Sequence, residues 1–290
     1  MRVQRASNGQ DRRWIAGRSR QAPLRPAASR GGRTIGHVHH VVLLPGGVLP
    51  AAPAYGALVA ALGADVDAHP KDLEVYAGDE PPADYSMATE VAGIARVADE
   101  AGFERFHLVG YSGGGAASLA FAAAQPERLL SLALMEPAFA GWQRMSPPER
   151  AHFERFRPLL EMDDAEMFAT FQALQLAPGV DPPAPPPGPA PPWMAKRPAG
   201  LRAILHQFLA TDLDLDGFRG FDRPVWFAVG GRSNPDYFAL MAERLVGVFP
   251  DFTIERFPER HHFDPPHRIE PKRVAASLRA MWVRAVAAGP

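Results

Sequence analysis

The chain has 290 residues, 47% of them hydrophobic and 22% charged, which is the composition of an ordinary globular protein and excludes wholesale disorder. Its longest apolar tracts, around Val41 to Leu44 and Leu119 to Ala124, fall far short of the roughly 18 residues that a membrane-spanning helix needs, so no membrane span is expected. The absence of cysteine excludes disulfides, thiolate metal sites, iron–sulfur clusters and a cysteine nucleophile, and it suits a reducing compartment, so a cytoplasmic location is expected.

The formal net charge of -1 hides an asymmetry. Residues 1 to 33 hold nine arginines against Asp11 alone, which leaves 22 basic and 31 acidic groups for the rest of the chain. The body is therefore acidic. The basic leader lacks the apolar segment of a secretory signal, and its scattered Gly, Ser and Pro read as a flexible segment over residues 1–36. Nucleic-acid contact by this leader is the lesser reading, and no nucleic-acid partner is expected.

From His37 onward, short apolar runs alternate with helical patterns, which predicts an α/β fold with a mostly parallel twisted sheet flanked by helices. His39 to Leu44 reads as a buried strand ended by Pro45-Gly46-Gly47. Tyr55 to Leu62 reads as a helix, and Leu73 to Tyr76 as a second strand closing at Gly78. Ser86 to Ala101 places Val91, Ile94, Ala95, Val97 and Ala98 on one helical face, stops at Gly102 and leads into the strand Phe106 to Val109.

After that strand comes Gly110-Tyr111-Ser112-Gly113-Gly114-Gly115, followed by a small-residue helix, Ala116 to Gln125, and a further strand, Leu130 to Met135. This is G-x-S-x-G between a strand and a helix, a pattern for which chance supplies roughly 0.08 matches at this Gly and Ser content. A serine projected from so tight a turn sits in strained backbone, and flanking glycines remove the β-carbons that would collide with strand and helix. The N–H of Gly113, at a helix N-terminus, is the expected first donor to a developing oxyanion.

Between Pro137 and about Gly220 helical patterns dominate. Ser146-Pro147-Pro148-Glu149 has the form of a capping box, with Phe153, Phe156, Leu159 and Leu160 as an apolar face. Asp163 with Glu166 starts a second helix containing Met167, Phe168, Phe171 and Leu174, and a third carries Leu201, Ile204, Leu205, Phe208 and Leu209. Nine prolines among residues 178 to 192 make a non-helical connector, read as a strap and not as a partner-binding motif. Val225 to Val229 and Thr253 to Phe257 then read as strands, and Pro271 to Ala287 as the final helix.

These residues resemble the α/β-hydrolase fold superfamily, from about His37 to the C-terminus with one insertion. The resemblance implies a core over 37–136 and 220–290, with residues 137–219 as a helical cap or lid. It implies a second oxyanion donor in the loop after the first strand, where Gly47 matches, although Pro45 stands where the family usually has His. It also implies a base directly after the last strand. There His262 fits the pattern of His, an apolar residue and Pro, with His261 as fallback and His267 less suited. The family's acid often follows the strand ending at Val229, but Gly230-Gly231-Arg232-Ser233 offers none. A position at the end of the strand after the nucleophile helix is also used, resembling the dehalogenase branch, and Glu136 stands there, with Asp236 in reserve.

The expected activity is therefore cofactor-independent serine hydrolysis of a carboxylic ester or related acyl compound by Ser112, His262 and Glu136, with Gly47 and Gly113 as oxyanion donors. Carbon–carbon bond, lactone or thioester hydrolysis on the same residues, and non-catalytic small-molecule binding, are the alternatives. Tyr111, Trp142, Met145 and Trp193 are expected to line an apolar substrate pocket. A dinucleotide site is disfavoured because Ser112 interrupts G-x-G-x-x-G. Metal binding by His37, His39 and His40, or by His261, His262, Asp264 and His267, is disfavoured because strand alternation aims His39 and His40 at opposite faces. Neither a metal nor a cofactor is expected.

Overall fold

Alternating apolar runs become six parallel strands: β1 (His39–Leu44), β2 (Val66–Pro70), β3 (Phe106–Tyr111), β4 (Leu129–Met135), β5 (Val225–Gly230) and β6 (Phe252–Phe257), in the order β2-β1-β3-β4-β5-β6. The structure, a computed structural model, describes residues 38–287 apart from 185 and 186. The arginine-rich segment 1–36 and His37, discussed above, lie outside the described residues.

The helices are α1 (Ala51–Leu62), α2 (Met87–Glu100), α3 (Gly113–Ala124), α4 (Pro147–Glu154), α5 (Asp164–Leu174), α6 (Arg197–Ala210), α7 (Leu240–Val246), the one-turn α8 (Pro266–Ile269) and α9 (Pro271–Ala287). Because successive strand side chains point to opposite faces, the sheet builds two cores. Val42, Leu44, Leu132, Leu134, Phe227 and Val229 join the cluster that holds the buried faces of α2, α3 and α7, while Val41, Leu43, Ala133, Met135, Trp226 and Ala228 pack with α1 and α9. None of the described helices is long and apolar enough to cross a membrane.

The chain leaves β1 toward β2 at one edge and then returns to place β3 on the other side of β1. Strand order reverses there, and the crevice beyond the carboxyl ends of such a pair is where open α/β sheets bind ligands. Two loops meet at this point, the one after Leu44 and the one after Tyr111.

One strand assignment is corrected. The second strand is Val66–Pro70, and Glu74–Tyr76 is a single 3₁₀ turn. β2 lies at the sheet edge and is only partly buried, so Asp67 and His69 interrupt its apolar signal. Leu73, Val75 and Tyr76 are buried as expected of a strand, but their backbone is held by a buried carboxylate: Glu90 accepts the N–H groups of Glu74 and Val75 at 3.0 and 3.2 Å. A tertiary contact, invisible to periodicity, decides that conformation.

In the segment 137–219, Ser146 and Glu149 form the reciprocal capping box at the start of α4, and Asp163 caps α5. Glu149 also meets Arg244 of α7 at 3.0 Å, with both side chains almost fully buried. Arg244 further donates to the carbonyls of Ala140 and Gln143. This arginine ties the segment to the sheet-covering helix α7. The described residues of the proline-rich stretch 178–191 contain no helix, and a 3₁₀ turn, Pro192–Lys196, leads into α6.

Candidate active site

Ser112 sits between β3 and α3 with φ 51° and ψ -118°, left-handed backbone that a non-glycine residue adopts only at a cost of about 1–3 kcal/mol. The neighbouring glycines make this bend possible. A β-carbon on Gly114 would stand 2.5 Å from the carbonyl oxygens of both Leu44 and Pro45, and one on Gly110 would collide with Ser118 and the Gly114 carbonyl. The turn is pinned by Ser112 N–H to Met135 O (3.1 Å), Gly114 N–H to Pro45 O (2.9 Å) and Ala138 N–H to Ser112 O (2.8 Å).

Among the described residues only three non-glycine residues have positive φ: Ser112, Glu136 and Arg144. Two of these face the same histidine. The ring of His262 lies with Nε2 3.0 Å from Ser112 Oγ and Nδ1 3.0 Å from Glu136 Oε2. Serine, histidine and carboxylate are each at most 4% exposed, so the row is shielded from water. The other carboxylate oxygen of Glu136 accepts the Gly230 N–H at 2.7 Å, and the Glu136 N–H donates to Ala228 O. The loop after β5, which has no acid of its own, thus uses its backbone to aim Glu136.

The imidazole is oriented by packing as well. Phe238 stacks on it at 4.7 Å and 13°, and the Tyr111 hydroxyl donates to the His262 carbonyl oxygen. Burial raises the Tyr111 pKa well above 10, so the phenol stays protonated as a donor.

The N–H groups of Gly47 and Gly113 have no acceptor among the described residues, and both glycines line one cavity with Ser112. A β-carbon on Gly113 would stand 3.5 Å from the Gly47 nitrogen, so the two donors lie side by side. Paired N–H groups beside a buried hydroxyl are suited to receive an oxyanion.

That cavity has a volume of about 20 Å³, room for a single water, and its walls are apolar. Phe153, Phe156, Phe171, Leu201, Ile204, Leu205 and Phe208, from the helices and turns of residues 147–210, form most of it, with Ala138, Gln175 and Tyr237. The four residues expected to line the pocket do not. Tyr111 lies beneath His262, Met145 is buried in the core, and Trp193 is half-buried beside Arg197. Trp142 meets Phe153 edge to face and donates to Phe208 O. Aromatic residues at the ends of the segment 137–219 pack against their neighbours, whereas the cavity wall is built by helix stripes whose spacing reads in the sequence as core. Tyr237, which no sequence motif marks, is held by a hydrogen bond from its hydroxyl to Ala138 O at 2.7 Å, a contact that no local pattern announces.

The remaining candidates lie elsewhere. Asp236 is exposed, near the start of the helical turn before α7, with its N–H bonded to Asn234. His261 accepts the Phe263 N–H at Nδ1 and donates its backbone N–H to Asp264. His39 stands 3.2 Å from His107, whereas His40 faces Asp67 and Phe103 on the opposite side of the strand.

His267 is fully buried between Tyr55 and Tyr111, with ring centroids 4.9 Å away on each side and no hydrogen-bond partner for either nitrogen among the described residues. Burial pushes its pKa down to about 3. The folded state therefore keeps it neutral while the unfolded chain takes up a proton below about pH 6.5. Its stabilising contribution is complete above that pH and is lost toward pH 3, at about 1.4 kcal/mol per pH unit. His267→Phe is expected to melt no lower than wild type at pH 7.5 and to lose less stability between pH 6.5 and 5. Parallel stability curves for the two proteins would contradict this.

A family model described as alpha/beta hydrolase fold matches residues 62–172. The provisionally named carbamate hydrolase RutD of Klebsiella pneumoniae (strain 342) is 34% identical over 122 residues, 42% of this chain. The match spans 40% of that relative's length. Among solved structures, a hydrolase from Pseudomonas aeruginosa PA01 superimposes with TM-score 0.62 at 20% identity, covering 84% of this chain and 89% of its own. Carboxylesterase CesB (YbfK) from Bacillus subtilis gives 0.57 at 16%, covering 84% and 83%. At such identities the structural likeness speaks for the fold. Taken with the family model, which matches part of the chain, and the all-parallel sheet, it shows that this chain has the α/β-hydrolase fold.

Proposed function

We propose that this protein is a serine hydrolase that cleaves carboxylic esters and related acyl compounds. The observation that carries the reading is the unbroken row from Ser112 Oγ through His262 to Glu136, with 3.0 Å at each link. A free serine hydroxyl is a poor nucleophile, and an imidazole within hydrogen-bond reach can take its proton as attack proceeds. Glu136 then holds the imidazolium and fixes the tautomer that leaves Nε2 able to accept.

The hydroxyl oxygen bonds to the substrate's carbonyl carbon, and the negative charge that moves onto the carbonyl oxygen is received by the Gly47 and Gly113 N–H groups. His262 returns the proton to the leaving group, and water releases the acyl group by the same steps. Each oxyanion donor in such a site is commonly worth about 10²- to 10³-fold in rate. Residues 137–219 act as the cap: their helices exclude water, and they must part to admit a substrate larger than the cavity.

The apolar wall and small volume support a short acyl group. With p-nitrophenyl esters, kcat/KM is expected to be greatest from acetate to butyrate and to fall at least about tenfold by decanoate. Because a sequence relative is named for carbamate hydrolysis, p-nitrophenyl carbamates belong in the same panel. No turnover of any member by folded protein would overturn the reading.

A further inference from the structure

Outside the serine–histidine–carboxylate row, one buried cation of the described residues has no carboxylate partner. Arg197, the first residue of α6, is 3% exposed, and its Nε has no hydrogen-bond partner among the described residues. Its guanidinium carbon lies 3.8 Å from the centre of the Tyr76 ring and 5.3 Å from that of Trp193. No carboxylate of a described residue comes within 4.0 Å of its nitrogens.

The nearby charges are already engaged. Glu90 gives its oxygens to the N–H groups of Glu74 and Val75 and to the Tyr85 hydroxyl, and Lys196 takes Asp79 and the Gly78 carbonyl. A buried cation stacked on two aromatic rings but lacking an anion is costly in the unliganded protein unless something else completes it.

Its position says what that is. Arg197 lies one turn before Leu201 on the stripe Leu201, Ile204, Leu205 and Phe208 that lines the cavity above Ser112. Tyr76, on which it stacks, donates its hydroxyl to the carbonyl oxygen of Gly47. A β-carbon on Gly47 would touch Leu201 and lie 3.7 Å from that hydroxyl. The cation therefore stands behind the Tyr76 ring, close to the end of the cavity at which the oxyanion donors stand but not in its wall.

We propose that Arg197 binds a carboxylate carried by the substrate, so that the site takes monoanionic esters, such as half-esters of short dicarboxylic acids, in preference to neutral ones. This rests on the hydrolase reading above. For monomethyl glutarate, Ser112 Oγ bonds to the ester carbonyl carbon and the carbon–methoxy bond breaks. The methoxy oxygen leaves as methanol with the proton that His262 took from Ser112, and water then releases glutarate. Arg197 holds the free carboxylate throughout. Its planar fork suits two-point recognition of that group.

Calorimetric binding to Ser112→Ala protein, which cannot acylate, tests the anion site apart from catalysis. Monomethyl glutarate is expected to bind roughly 10- to 100-fold more tightly than dimethyl glutarate. Arg197→Met in the same background should erase that difference, and Arg197→Lys should keep part of it, with circular dichroism confirming that each variant is folded. Monoester binding no tighter than diester binding, absent binding included, overturns the proposal, as does a preference that survives Arg197→Met. Serine labelling of the unmutated protein by a fluorophosphonate reports separately on the hydrolase reading.

Discussion

Glu136→Gln is expected to lower kcat on a p-nitrophenyl ester by about 10³- to 10⁴-fold while leaving KM within a few-fold, whereas Asp236→Asn should change neither beyond about threefold. The contrast follows from position. Glu136 faces His262 Nδ1 at 3.0 Å and is anchored by the Gly230 N–H, while Asp236 is exposed and belongs to a helix start. A glutamine can present an amide N–H to Nδ1, which would then accept and leave Nε2 protonated, so the ring could no longer take the serine's proton. The amide also carries no charge to hold an imidazolium. Steady-state rates for the two folded variants decide it, and the reverse ranking would move the acid's role to Asp236.

Ser112→Ala is expected to lose at least about 10⁴-fold in kcat, and adding His262→Ala to it should cost little more. The two side chains act as one device, since the imidazole has no proton to take once the hydroxyl is gone. Additive losses would show that His262 works independently of Ser112. Stability gives a second contrast. Removing the hydroxyl leaves the left-handed backbone at this position, so alanine at φ 51° keeps the strain and should not raise the melting temperature by more than a few degrees. Any glycine in its place would relieve that strain as it abolishes activity.

The serine turn was legible in the sequence because close approach leaves a local signature. Gly110 and Gly114 each stand where a β-carbon would strike neighbouring backbone, so the requirement is written within five residues. Glu136 and His262 were legible for another reason: the resemblance puts an acid at the end of β4 and a base in the loop after β6, and strands read from their residues place both at one edge of a parallel sheet. The same logic failed at β2, an edge strand whose half-exposed residues alternate without a clear apolar face, while the buried run at Leu73 to Tyr76 belongs to a turn organised by Glu90.

The cavity wall was hidden for a physical reason as well. Phe153, Phe171, Leu201 and Phe208 carry the same helical spacing whether they fill a core or border a hollow, and only the packing of one helix against another leaves space between them. Tryptophans at the ends of the segment 137–219 drew attention by size, yet Trp142 spends its ring on Phe139 and Phe153 and its N–H on Phe208 O. Arg197 reads in the sequence as one basic residue beside Lys196; its isolation from any carboxylate emerges only once α6 lies against Tyr76.

The central claim, that the Ser112 hydroxyl is activated by His262, is tested most directly by treating the folded protein with a fluorophosphonate and mapping the adduct by mass spectrometry. The account predicts a single adduct on Ser112, absent from Ser112→Ala and formed far more slowly on His262→Ala. A folded wild-type protein that stays unlabelled, or that is modified at another residue at an undiminished rate in Ser112→Ala, would contradict it.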